Sequence, residues 1–238
     1  MGRLAVIGGH SIMNTGFPAG GERREIDVVG GSVAVHDAGS FVALQRHGLD
    51  GYTPPHAIDN VANVRALREL ECDRVLAICS AGGLRTELGV GTLLCPDDFI
   101  ALHIGASSFE DARGHRVPGF DAGWRRRVVE AWSGAPGAPL RDGGTYWQTI
   151  GPRLETRAEI RLIAAHADVV GMTLAGECVI AREQGLAYAA VCVVDNLANG
   201  VGDESLSVED IAAGAAANRE RLVAALESVL PKLAEDVP

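Results

Sequence analysis

The feature that most constrains this chain is an alternation. Short apolar runs bounded by Gly, Pro and Asp are separated by stretches whose apolar residues recur three and four apart, the pattern of βαβ units. LAVIGG (4–9) reads as a first strand, and GSVAVHD with SFVALQRHG (31–48) as a hairpin turned by Asp37 to Ser40. DNVANVRALRELE (59–71) reads as a helix with Asp59 at its N-cap, feeding the strand RVLAICSA (74–81). TLLCPDDFIAL (92–102) reads as one strand with a Pro-Asp-Asp break, and residues 106–123 as a long loop. There follow a helix (124–132), a Gly/Pro linker (133–144), the strand GTYWQTIG, a helix over 154–166, the strand ADVVGMT, the helix GECVIAREQG and the strand LAYAAVCVVDN. A last amphipathic helix over 207–233 is capped by Ser207.

A chain of 238 residues fits one domain, 1–238, of α/β class with a central mixed sheet flanked by helices. Hydrophobic residues make up 47% and aromatics only 5%, so the core is built from Ala, Val, Leu and Ile, as in parallel strands covered on both faces. The formal charge is −10, with no basic stripe, which argues against a nucleic-acid partner. Five cysteines form no CxxC pair and no even disulfide framework, consistent with a reducing cytoplasm. No signal-peptide pattern and no uncharged run of about 18 apolar residues is present, so no membrane association is expected.

Three motifs at strand carboxyl ends could serve one anion: Gly8-Gly9-His10-Ser11, Arg46-His47-Gly48, and Cys79-Ser80-Ala81-Gly82-Gly83. Taken singly each signal is modest, and the first two have ordinary explanations: a tight turn and an exposed strand-end Arg. In GPRLETRAE (151–159) a Pro near N1 and Glu155 close behind it read most simply as a helix start with an acid on the dipole. Met172 reads as packing, and Asp195-Asn196 as turn formers. Neither a dinucleotide fingerprint, a P-loop lysine, a zinc spacing nor a GxSxG elbow occurs.

Taken in order, IGG, RHG, PPH…N..AN.RAL, SAGGLR, GTY…GPRLET.AE and VVGMT…E…ARE.GL.YA resemble the methylthioadenosine phosphorylase branch of the trimeric purine nucleoside phosphorylases, over nearly the whole chain. The GPRLET and VxN pattern is most like the methylthioinosine phosphorylases. The resemblance implies phosphorolysis of a purine nucleoside, with phosphate as co-substrate, no other cofactor, and a homotrimer or hexamer. It places phosphate at Gly9, His10, Arg46, His47, Thr173 and the backbone N–H of Ser80. It lays the nucleoside on Ala81, Gly82 and Met172, with Val208 facing the 5′ substituent and His115 lent to a neighbouring subunit.

Under the same resemblance Glu155 and Asn196 address the base edge. A carboxylate accepts from the N1–H of a 6-oxopurine and an amide donates to N7 or O6, so 5′-methylthioinosine or inosine is the expected substrate. A one-residue shift would bring Asp195 to the base instead, and Asn196 is preferred because adjacent strand residues face opposite ways. The chain departs from the family at His10, Cys79, Gly176 and Ala101-Leu102-His103. Alternatives are a phosphorylase or hydrolase for methylthioadenosine or another 5′-deoxynucleoside, and a nucleoside-binding protein without turnover.

Overall fold

A computed structural model describes residues 2–13, 15–137, 139–202 and 206–235. Among the described residues eleven strands form one mixed sheet: β1 Arg3–Gly8, β2 Glu22–Val28, β3 Gly31–Asp37, β4 Phe41–Gln45, β5 Cys72–Gly83, β6 Leu93–Cys95, β7 Asp98–Ile100, β8 Leu140–Asp142, β9 Thr145–Gln148, β10 Val169–Gly171 and β11 Ala187–Leu197. The α-helices are α1 Asn60–Glu69, α2 Ala122–Trp132, α3 Arg157–Ile163, α4 Leu174–Glu183 and α5 Val208–Ala234. The fold is a single-domain α/β arrangement, as the alternation predicted.

Side-chain alternation sorts the central strands into two cores. Ala5, Ile7, Val75, Ala77, Ala190 and Cys192 pack beneath α1 and α4 with Val64, Leu67, Leu174 and Ile180. Leu4, Val6, Leu76, Ile78, Val191 and Val193 pack on the other face with Trp124, Val128, Leu222 and Leu226 of α2 and α5. Both faces are therefore covered, which is why these strands are continuously apolar. All five cysteines are free and buried in these layers.

Strand β5 holds the sheet together. It runs parallel to β1 as far as Ile7 opposite Ala77, and parallel to β11 along nearly all its length. On the β1 side its last residues, Gly82 and Gly83, pair instead with antiparallel β10. Between these pairings, Ile78–Ala81 have a strand partner on the β11 side only. Residues 78–81 are thus extended strand with one open edge, and the strand read over 74–81 continues through Gly83.

Other expectations are corrected by local chemistry. Residues 92–102 form two strands in different parts of the sheet: β6 pairs with β11 and β8, and β7 with β9. Pro96 lacks the N–H that would continue the ladder. The expected linker 133–144 contains β8. Strand β2, ERREIDV, had no legible period because of its residues only Ile26 is buried. Helix α3 begins at Arg157 behind the Thr156 and Glu159 capping box, so Pro152 is not at N1 and Glu155 lies before the cap.

Helix α5 starts at its Ser207 and Asp210 capping box and crosses β11 at close range. A Cβ on Gly214 would overlap the carbonyl oxygen of Asp195, so the glycine is required by the approach of two backbones. Gly214→Ala is expected to destabilise the protein by about 1–3 kcal/mol despite the better helix propensity of Ala. Urea unfolding of the two proteins measures this; equal midpoints would show that α5 can move away freely.

Candidate active site

The gap in the sheet opens into a cavity of about 340 Å³, inside the range of small-molecule sites. Gly9, His10, Arg46, His47, Cys79 and Ser80 line one end. Ala81, Gly82, Met172 and Thr173 line its middle, Glu155 and Asn196 the other end, and Leu206, Val208, Ile211 and Ala212 form an apolar mouth. Twelve of the thirteen residues expected from sequence therefore meet in one place. His115 does not: it is exposed on the long loop, outside this chain's own cavity.

Arg46 forms the floor and is not the exposed strand-end residue of the simplest reading. It is 3% exposed and follows β4. Its Nε and Nη2 donate to Glu177 of α4 at 2.9 and 3.0 Å, Nη1 donates to the Ile78 carbonyl at 2.7 Å, and Nη2 also reaches the Ile7 carbonyl at 3.4 Å. The bidentate face is thus spent on Glu177, leaving one Nη1 N–H unspent among the five donors. A Cβ at Gly9 would overlap Nη1, so this position needs glycine to let the loop lie on the guanidinium. Burial alone would lower the guanidinium's pKa, and the Glu177 carboxylate overrides it, holding Arg46 above its ordinary value. Tyr188 donates to the same carboxylate at 2.6 Å.

His47 is 6% exposed, stacks on Tyr52 at 5.3 Å, and sets Nδ1 2.9 Å from the Thr53 carbonyl. Burial pushes its pKa down to about 4, with Arg46 adding to the shift. The ring is therefore neutral, carries its proton on Nδ1 to donate to that carbonyl, and keeps Nε2 as an acceptor.

At the N-terminus of α4, Tyr146 Oη accepts from the N–H of Thr173 at 3.2 Å, and Gln148 Oε1 from those of Ala175 and Gly176 at 2.6 and 3.2 Å. These caps come from β9, so the Thr173 hydroxyl makes no cap bond of its own. It has Cys79 Sγ at 3.7 Å.

At the far end Glu155 is oriented by the Thr149 hydroxyl at 2.6 Å, and Asn199 donates to its backbone carbonyl at 3.0 Å. Asn196 donates one amide hydrogen to the Leu197 carbonyl at 2.9 Å. Its second N–H and its carbonyl oxygen are not used in that bond. Asp195 faces the other way, fully buried against α5. Burial raises its pKa, opposed by hydrogen bonds from Ser80, Asn218 and Ser11.

Sequence reasoning missed Glu177, Tyr52, Tyr146 and Gln148. Only Glu177 carried a signal, as an acid within the otherwise apolar stretch LAGECVIA. Among the described residues no three His, Cys, Asp or Glu side chains converge as a metal ion would require, and no helix is long and apolar enough to cross a membrane.

An α/β sheet opened beside its central strand, with donors at one end and a carboxylate and amide at the other, defines a small-molecule site of the kind open α/β sheets carry at their strand ends. The chain belongs to the phosphorylase superfamily, whose family model matches residues 3–231. It is 36% identical over 237 residues to a probable 6-oxopurine nucleoside phosphorylase of Archaeoglobus fulgidus, covering 98% of each chain. It is likewise 36% identical over 214 residues to a probable S-methyl-5′-thioinosine phosphorylase of Xanthomonas campestris pv. campestris, covering 84% of this chain and 85% of the relative. A methylthioadenosine phosphorylase from Schistosoma mansoni, solved with adenine, shares the fold at TM-score 0.86 and 22% identity, over 99% of this chain and 93% of its own.

Two outcomes follow from this geometry. Glu177→Ala leaves the Arg46 charge buried without its counter-ion and is expected to cost about 3–5 kcal/mol in urea unfolding; a loss under about 1 kcal/mol would show that water or the carbonyls suffice. His47 titrates near 6.5 when unfolded and about 4 when folded, so the unfolded chain binds more protons between these values. Stability should therefore fall as pH drops from about 6.5 to about 4, and His47→Asn should flatten that arm of the pH profile.

Proposed function

We propose that the chain uses inorganic phosphate to cleave the N-glycosidic bond of a purine nucleoside, releasing the base and a ribose 1-phosphate, with a 6-oxopurine carrying a 5′-methylthio group preferred. The observation that carries this reading is the meeting, in one cavity, of the open edge of β5 with the Glu155 and Asn196 pair. The names of the relatives from Archaeoglobus and Xanthomonas support the 6-oxopurine and methylthioinosine readings.

Phosphate lies among Gly9, His10, the Ser80 N–H and the Thr173 hydroxyl, with the remaining Nη1 hydrogen of Arg46 below it. Neutral His47 takes a hydrogen bond through Nε2 from a protonated phosphate oxygen or a sugar hydroxyl. The sugar rests on Met172 and the base along Ala81 and Gly82. As the C1′–N9 bond lengthens, positive charge grows on the sugar and phosphate collects it. Negative charge grows on the purine, where the Asn196 amide donates to N7 or O6 and the Glu155 carboxylate accepts from N1–H. The Asn196 bond strengthens as the charge develops, which favours the transition state over the bound nucleoside, while Glu155 holds the base in place through N1–H.

A 6-aminopurine offers an acceptor at N1 and a donor at its amino group, leaving Glu155 and Asn196 mispaired at about 1–3 kcal/mol for each buried group. Leu206, Val208, Ile211 and Ala212 give the 5′ end an apolar wall. A thioether satisfies that wall, whereas a 5′-hydroxyl would be buried without a partner. Val208 is 68% exposed in the single chain. The family resemblance supports a homotrimer in which the neighbour's His115 loop closes this mouth. Buried, unbridged cysteines support a cytoplasmic setting.

The test is base release from 5′-methylthioinosine, inosine, 5′-methylthioadenosine and adenosine, each with and without phosphate. Hypoxanthine released only with phosphate, at least about tenfold faster from methylthioinosine than adenine from methylthioadenosine, is the expected result. Asn196→Asp should narrow that ratio. Release that does not depend on phosphate would establish a hydrolase, and binding without release would sink the enzymatic reading.

A further inference from the structure

We propose that Asp195 is a positioning residue for the phosphate subsite, acting through the Ser11 and Ser80 hydroxyls; the inference rests on the phosphate placement given above. Asp195 is fully buried, on the face of β11 turned from the cavity. Three elements converge on its carboxylate. Ser11, in the short 3-10 turn His10–Ile12 that follows β1, donates to Oδ2 at 2.9 Å. Asn218 of α5 donates to Oδ1 at 2.8 Å, and the Ser80 hydroxyl of β5 bonds the same group.

Ser11 and Ser80 belong to the two backbone segments that flank the gap beside β5. One carboxylate therefore fixes both sides of the anion subsite relative to each other and to α5. The turn is three residues long and its N-cap, Gly9, offers no side chain; Ile12 anchors its end in the core, and the Ser11 bond to Asp195 ties its middle to β11. Hydroxyls that donate to Asp195 direct their protons away from the cavity, so backbone N–H groups are left to face the anion. Asp195 touches no substrate in this arrangement. It sets the spacing of groups that do.

The experiment compares steady-state kinetics and melting temperatures of Asp195→Ala, Asp195→Asn, Ser11→Ala and the Asp195→Ala/Ser11→Ala double variant with those of the parent protein. Asp195→Ala is expected to raise the phosphate KM about tenfold or more and Ser11→Ala about fivefold, while the nucleoside KM changes less than about twofold. Asp195→Asn should recover most of the phosphate KM, because its amide oxygen still accepts from Asn218 and its N–H can donate to the Ser11 oxygen. The double variant should be no worse than Asp195→Ala alone.

Equal losses toward phosphate and nucleoside together with a lower melting temperature, or additive effects in the double variant, would overturn the inference. Should Asp195→Ala fail to fold, Ser11→Ala decides alone: an unchanged phosphate KM refutes the proposal. Thr173→Val separates the two levels. A raised phosphate KM there with no effect in Ser11→Ala defeats only the role of Asp195, and no effect in Thr173→Val defeats the phosphate placement itself.

Discussion

Strand β5 changes partner part-way along its length, and the rest of the site depends on where it does so. Had β1 continued beside it, the N–H and C=O groups of Ile78–Ala81 that face the gap would be spent on a second ladder. Had β10 begun earlier, the same edge would be closed from the other side. A buried edge without a partner is costly, since each unmet backbone group loses the free energy of a hydrogen bond. Here the Arg46 guanidinium takes the Ile78 carbonyl, and the loop of Gly9 lies directly over it. What remains open is a short stretch of backbone at the strand ends, where open α/β sheets bind ligands.

The Arg46 and Glu177 pair governs the electrostatics of that stretch. A chain with formal charge −10 does not draw an anion by its overall field, so affinity has to come from local donors. An unpaired buried guanidinium would supply charge at a prohibitive desolvation cost. Pairing it with Glu177 removes that cost and fixes the orientation, at the expense of net charge. The floor is then close to neutral and its donors are held rigidly, so under the proposed function phosphate entering the gap would meet aimed N–H groups. Such preorganisation suits a co-substrate that must be held loosely enough to attack and firmly enough to point at one carbon.

Much of this was legible in the sequence because it follows from local rules. Period-two and period-3.6 patterns located β1, β4, β5, β11, α1 and α5, and the Gly-rich or cationic residues at strand ends converged as one anion site would demand. What stayed hidden depends on partners distant in sequence. Nothing near Arg46 announces that its fork faces Glu177, 131 positions away. The capping of α4 by Tyr146 and Gln148 has no signature, because a phenol and an amide on a strand look like packing residues. Strand β2 escaped because only Ile26 of its seven residues is buried, which leaves no alternation to read. The separate destinations of β6 and β7 follow from Pro96 ending one ladder, which marks a break without saying where the chain goes next.

The choice between Asp195 and Asn196 shows how a substrate preference can rest on backbone geometry. Along β11, Val193 and Val194 stand opposite Ser80 and Ala81, and Asn196, not Asp195, stands opposite Gly82. One extra residue is therefore accommodated in β11 at Asp195, as in a β-bulge. In an unbroken register the aspartate would sit opposite Gly82, where the amide now stands. The bulge reverses this assignment, sending the acid to Ser11 and Asn218 and the amide to the cavity. Gly214 is what permits it, because only a residue without a side chain leaves room for the displaced Asp195 carbonyl under α5. A helix glycine more than a dozen residues from the cavity strand thereby takes part in setting whether an amide or a carboxylate lines the cavity.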